Sequence, residues 1–145
     1  MYPQRTKRQL IYAWALASFL SGIPSTLYAL FSGGDPLEAT RAAGAMIGRP
    51  GSIAAAAVVH LAVSLFWSVV LWLALPARHT MLWAIGAAAL IAVLDLRLIA
   101  PAFFPAVAAL AFWPQFADHL MWGACVGLGL EMGRRARPPP RTPGR

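Results

Sequence analysis

Residues 53–75 read IAAAAVVHLAVSLFWSVVLWLAL, with no Asp, Glu, Lys or Arg among them, and the run stops at Pro76-Ala77-Arg78-His79. A helix needs roughly 20 apolar residues to cross about 30 Å of hydrocarbon, and a water-soluble core does not require such a length. Working outward, three further stretches of the same kind follow from the apolar pattern: Gln9 to Phe31, Met81 to Ala100, and Pro114 to Met132. The chain is therefore expected to be all-α, an integral membrane four-helix bundle forming one transmembrane domain over residues 1–133.

Composition points the same way. Hydrophobic residues make up 59% and charged residues 12%, against about 25% charged in ordinary soluble domains. The mean hydropathy is +0.63, so the bilayer is the expected solvent and principal partner. The net charge of +7 does not call for nucleic acid, because that reading needs a folded basic face. Arg5, Lys7 and Arg8 precede the first stretch, and Arg134, Arg135, Arg137, Arg141 and Arg145 follow the last. Basic tails beside membrane spans are explained by topology and by anionic lipid headgroups. The single cysteine, Cys125, lies inside the fourth stretch, where one thiol cannot form an intrachain disulfide.

The first span contains Ser21-Gly22-Ile23-Pro24-Ser25. Pro24 lacks a backbone N–H, so the helix is expected to bend there. The span is read as retained rather than as a cleaved signal peptide, since it is too long and no Ala-x-Ala site closes it. Beyond it, Asp35 is placed to cap a helix with Pro36 in its first turn. From Leu37 to Ile47 near-helical spacing predicts a short extracytoplasmic surface helix. Pro101 and Pro105 bracket a Phe-rich piece, Ala102 to Trp113, expected to dip into the interface or fold back over the bundle. Residues 134–145 read as a disordered basic cytoplasmic tail. Lys and Arg in short loops stay cytoplasmic, which places both termini inside and agrees with four spans. Trp14, Trp72, Trp83 and Trp113 fall towards span ends, where indoles favour the headgroup level.

Ionisable residues inside these spans ask for a reason, because a charge at a helix centre costs about 2.5–3.5 kcal/mol on insertion scales. His60 on span two, Asp95 and Arg97 on span three, and Asp118 and His119 on span four all fall within roughly 10 Å of the outer boundary. Ser21 and Ser25 join them beside the Pro24 break. His60, Ser64 and Ser68 recur at every fourth position, and Ser18, Ser21 and Ser25 form a similar stripe. A polar chamber open towards the outside, formed by His60, Ser64, Asp95, Arg97, Asp118, His119, Ser21 and Ser25, is the resulting expectation. The competing account is that Asp95 pairs with His119 or Arg97 only to hold helices together, and that Arg97 snorkels to the interface.

His60, Asp95, Asp118 and His119 are also suitable ligand types for zinc or another divalent metal. Asp118 and His119, however, point about 100° apart on one helix. Haem between His60 and His119 is compatible with their depth, without a CxxCH motif to support it. The cofactor stays unknown, with none more strongly indicated than a metal or haem. Acid–base chemistry on a lipid-like substrate would need Asp118 and His119, but no nucleophile motif, phosphate loop or HExxH is present. Gly123 and Gly127 form GxxxG, which permits close helix packing or a dimer face.

In the segment Phe116-Ala117-Asp118-His119-Leu120-Met121-Trp122-Gly123-Ala124-Cys125-Val126-Gly127, a His is followed by an aromatic–Gly pair and a second Gly four residues on. His119, Trp122, Gly123 and Gly127 carry this pattern, which resembles the last span of bacterial inner-membrane families, including the YagU-like one. The resemblance implies a bacterial inner-membrane location and a multi-helix bundle. Three functional classes follow: a transport-associated or accessory protein with a polar chamber; a structural subunit, as homo-oligomer or in a larger membrane complex; and a metal- or haem-binding protein or lipid-modifying enzyme.

Overall fold

A computed structural model describes residues 5–135, in which every regular element is helical. Of the tail predicted over residues 134–145, Arg134 and Arg135 belong instead to the last turn of the helix Phe112–Arg135, whose C-terminal end favours basic side chains; the remainder lies outside the described residues. The order is α1 Lys7–Leu20, α2 Ile23–Ser32, α3 Glu38–Ala45, α4 Ile53–Ala74, α5 Thr80–Leu94, a π-helical turn Asp95–Ile99, α6 Ala100–Phe103, α7 Pro105–Ala108 and α8 Phe112–Arg135. Three helical stretches are long and apolar enough to cross a membrane: Lys7–Ser32, Ile53–Ala74 and Thr80–Phe103. The fourth expected span, α8, has 24 residues, about 36 Å of helix at about 1.5 Å per residue. Its Gln115, Asp118, His119, Glu131, Arg134 and Arg135 leave it much less apolar than the other three.

The least apolar long helix is the most buried. Trp122, Gly123, Cys125, Val126, Gly127, Gly129, Leu130 and Gly133 of α8 are all buried, with α1 on one flank and α5 on the other. The seams are made of small side chains. Ala13, Ala17, Ala84 and Ala88 are 0% exposed, whereas Phe31 is 88%, Phe19 80% and Leu90 75% exposed. Water would drive those large side chains inward; a lipid exterior would not, and there helix association rests on close packing of small residues. The GxxxG glycines have their neighbour inside the bundle: a Cβ on Gly123 would lie 2.8 Å from the Ala84 carbonyl oxygen, and one on Gly127 2.7 Å from Met81 Cα. Cys125 is a buried packing residue.

Local chemistry sets the helix ends. Thr6 and Gln9 form a capping box at α1, with Thr6 N–H donating to Gln9 Oε1 at 2.7 Å. Ser52 Oγ accepts from Ala55 N–H to start α4. The expected bend at Pro24 is a full break: α1 ends at Leu20, and α2 starts after Gly22 with Pro24 in its first turn. Asp35 does not cap α3: it accepts from Leu37 N–H at 2.9 Å and pairs with Arg41, and the helix begins two residues later than expected, at Glu38 after Leu37. Within the expected 37–47, α3 spans Glu38–Ala45 and buries Ala42 and Gly44 against the start of α4. Trp14 also differs from expectation: its indole N–H turns inward to the Leu61 carbonyl at 3.1 Å.

Pro101 does not end the third span as its missing N–H suggested. The helix widens into the π-turn at Asp95–Ile99 and continues to Phe103. Widening next to proline relieves the clash and the lost hydrogen bond locally, and such turns recur at functional sites. Past Phe104 the chain folds back through α7, which packs on α3 and the π-turn.

Two ends of the bundle differ in charge. Arg5 donates to the Leu75 carbonyl, Gln9 to Leu130 and Arg134 to Ala77. These contacts bring Arg5, Lys7, Arg8, Arg78, Arg134 and Arg135 to one end, where Glu131 faces Arg134. Asp35, Glu38, Arg41 and Arg49 lie in the connection between α2 and α4, at the other end.

Candidate functional site

α4 packs mainly on α1 and α3, leaving a cleft between it and α8. The cavity has a volume of about 690 Å³ and is walled by α1, α2, α3, α4, the π-turn, α7 and α8. Seven of the eight proposed chamber residues line it: Ser21, Ser25, His60, Ser64, Asp95, Asp118 and His119. Arg97 does not. Two positions beyond Asp95, about 200° round the helix, its guanidinium instead sits over the Phe112 ring at 4.1 Å.

The two carboxylates have different partners. Asp118 Oδ1 accepts from Ser25 N–H at 2.9 Å. That N–H is one of the free donors in the first turn of α2, left without an intrahelical acceptor by the break at Gly22. The same N-terminus carries the positive end of the α2 dipole, which favours the ionised carboxylate. Asp95 Oδ2 instead lies 3.3 Å from His119 Nε2.

The tautomer of His119 follows from its other nitrogen. Nδ1 is 2.8 Å from the Gln115 carbonyl oxygen, which only accepts, so Nδ1 carries a hydrogen. A hydrogen bond to Asp95 then requires one more proton, on Nε2 or on the carboxyl. Either way the bonded pair has zero net charge and holds one proton that can leave. His60 Nε2 lies 2.9 Å from the Ser18 carbonyl at the break, so it is the donating nitrogen and Nδ1 is free.

Below these groups a hydroxyl chain closes the floor. Ser18 Oγ donates to Ser64 Oγ at 2.9 Å, and the Trp122 indole N–H donates to the same oxygen at 3.0 Å. The predicted serine stripe is seen in part, with Ser64 4% and Ser68 0% exposed while His60 stays at the exposed rim. Ser21 and Ser68 hydroxyls are buried without a partner. Sequence reasoning missed Trp122 and the Gln115 carbonyl as site groups. Their signal was position: Trp122 is three residues after His119 and Gln115 four before, on one face of α8.

The four metal candidates line one cavity but do not gather into one ligand set. Among the described residues no three His, Cys, Asp or Glu side chains come together to hold a metal. The separation follows from Asp118 and His119 being consecutive, which turns one carboxylate to α2 and the imidazole to the π-turn. No protein family, curated protein or solved structure matches this chain.

Proposed function

We propose that the protein is a small transport-associated or accessory membrane protein whose cavity is a polar chamber in the outer half of the bilayer. In this reading α8 is the fourth span of a four-helix bundle. Its length supports that role, and its Gln115, Asp118 and His119 face the cavity while its glycines meet α1 and α5, so its neighbours present most of the apolar exterior. The cations gathered at one end support cytoplasmic termini. The resemblance of residues 116–127 to YagU-like spans supports a bacterial inner membrane.

The observation that carries the proposal is the convergence of Asp95, Asp118, His119 and His60 from three helices on one cavity. Intramembrane ionisable groups are functional candidates by default, and the Asp95–His119 pair supplies a proton donor and acceptor in one contact. The test is an imposed pH gradient across reconstituted vesicles, followed with a trapped dye. Wild type should dissipate the gradient at least about a hundredfold faster than a His60→Ala, His119→Ala double variant, the lower end of the range for a positioned acid–base group. A wild type no leakier than protein-free vesicles overturns the transport reading.

The structural-subunit reading keeps one specific support, the exposed aromatics Phe19, Phe31, Phe103 and Trp113. It loses the GxxxG face, because Gly123 and Gly127 are already occupied by α5.

A further inference from the structure

Among the described residues no Lys or Arg lines the cavity, although the protein carries a net charge of +7. The acidic side chains of that described lining are Asp95 and Asp118, and its other titratable groups are His60 on α4 and His119 on α8. Asp95 has an imidazole partner, His119 Nε2 at 3.3 Å. His60 directs its Nε2 to the Ser18 carbonyl, and the Asp118 carboxyl is held by the Ser25 N–H, with no Lys or Arg of the described lining beside it. Leaving a charge so partnered in a largely apolar space is costly.

The remainder of the wall is hydrocarbon and indole. Ile53, Val63, Leu94, Ile99, Val107 and Trp67 are among the lining residues, and about 690 Å³ falls within the range of small-molecule pockets. A second observation points to an occupant: Ser21 lines the cavity, is 3% exposed, and its Oγ has no hydrogen-bond partner. A buried hydroxyl without a partner is unusual unless something else completes it.

We propose that this cavity binds a lipophilic monovalent cation, an amine or quaternary ammonium whose charge lies beside Asp118 and whose hydrocarbon fills the apolar wall. The proposal rests on the polar-chamber reading and specifies what the chamber holds. One positive charge matches Asp118, the lining carboxylate that is not in contact with an imidazole. Trp67 and Trp122 also line the cavity, and indoles attract such a cation; Ser21 Oγ has no other partner and can accept from an ammonium N–H.

The test is equilibrium dialysis of detergent-solubilised full-length protein against tetraphenylphosphonium and against triphenylphosphine oxide, a bulky uncharged aryl probe. Saturable binding of the cation, at least about tenfold tighter than the neutral probe, is expected, as is a comparable loss in Asp118→Asn, consistent with a poorly solvated carboxylate–cation contact. Asn keeps an oxygen for the Ser25 N–H, and an unchanged unfolding temperature establishes that the variant is folded. Ser21→Ala should weaken a primary-amine probe, dodecylammonium, and leave tetraphenylphosphonium, which has no N–H, unaffected. Equal binding of cation and neutral probe, or an undiminished Asp118→Asn, overturns cation selectivity and leaves the chamber standing. Binding of neither probe overturns the occupant proposal, while the pH-gradient experiment judges the chamber separately.

Discussion

The two halves of this bundle are built on opposite plans. Towards the end carrying Arg5, Arg78 and Arg134, α1, α5 and α8 meet through alanine and glycine so closely that a Cβ at Gly133 would lie 2.5 Å from Gln9 Cα. Towards the other end the same helices splay around a cavity of about 690 Å³ lined by carboxylates, imidazoles and hydroxyls. Small side chains draw backbones together where only shape is at stake. Where α1 breaks and α5 widens into a π-turn, backbone groups are freed and polar side chains reach them. The tight half fixes the helices, and the open half can then hold ionisable groups at defined separations without filling the space between them.

The sharpest way to break this division is in the tight half. Gly129→Leu forces a branched side chain against the Ala13 backbone, and overpacking at a backbone contact should cost about 3 kcal/mol, the upper end for such changes. Thermal unfolding in detergent should show the variant aggregating well below wild type; an unchanged transition would mean that α1 and α8 are not so closely apposed.

In the open half, Asp118→Leu removes the acceptor of Ser25 N–H, and stranding that donor should cost roughly 1–3 kcal/mol. Asp118→Asn should lose much less, and chemical unfolding of the two side by side separates hydrogen bonding from charge. Trp122→Phe keeps the ring and deletes the N–H that reaches Ser64. Its cost should be about 0.6 kcal/mol, the average for such contacts in a membrane bundle, and a double-mutant cycle with Ser64→Ala should return the same coupling. A coupling of zero would remove the hydroxyl chain as the floor of the cavity.

The smallest effect is expected at Ser68, whose hydroxyl is 0% exposed and unpartnered. Ser68→Ala should leave stability unchanged or raise it, since an unsatisfied buried hydroxyl is costly. A clear loss would mean that this hydroxyl has a partner and that Ser68 belongs to the polar half.

Much of the helix layout was legible because it depends on local runs: apolar length, and Pro24 within Ser21-Gly22-Ile23-Pro24-Ser25 of the first span. The depth of the polar residues was legible too, since sequence distance along a helix converts directly into height. Direction was not. Arg97 was grouped with Asp95 on depth alone, although two helical positions turn it away to Phe112. The π-turn escaped notice because the residues 95–99 are ordinary helix formers, and only accommodation of Pro101 makes widening worthwhile. Trp122 read as an aromatic in an apolar run until its N–H found Ser64.

The sequence alone determined an all-helical chain with long apolar helices, a bend at Pro24, and a belt of ionisable residues at similar height, because hydropathy, backbone chemistry and rise per residue are local properties. Only the tertiary structure decided that the least apolar helix lies at the centre, that Asp95 meets His119 while Asp118 meets α2, and that a cavity separates α4 from α8. Those outcomes depend on helix rotation and on which small residues face one another, and both are settled by packing between segments distant in the chain.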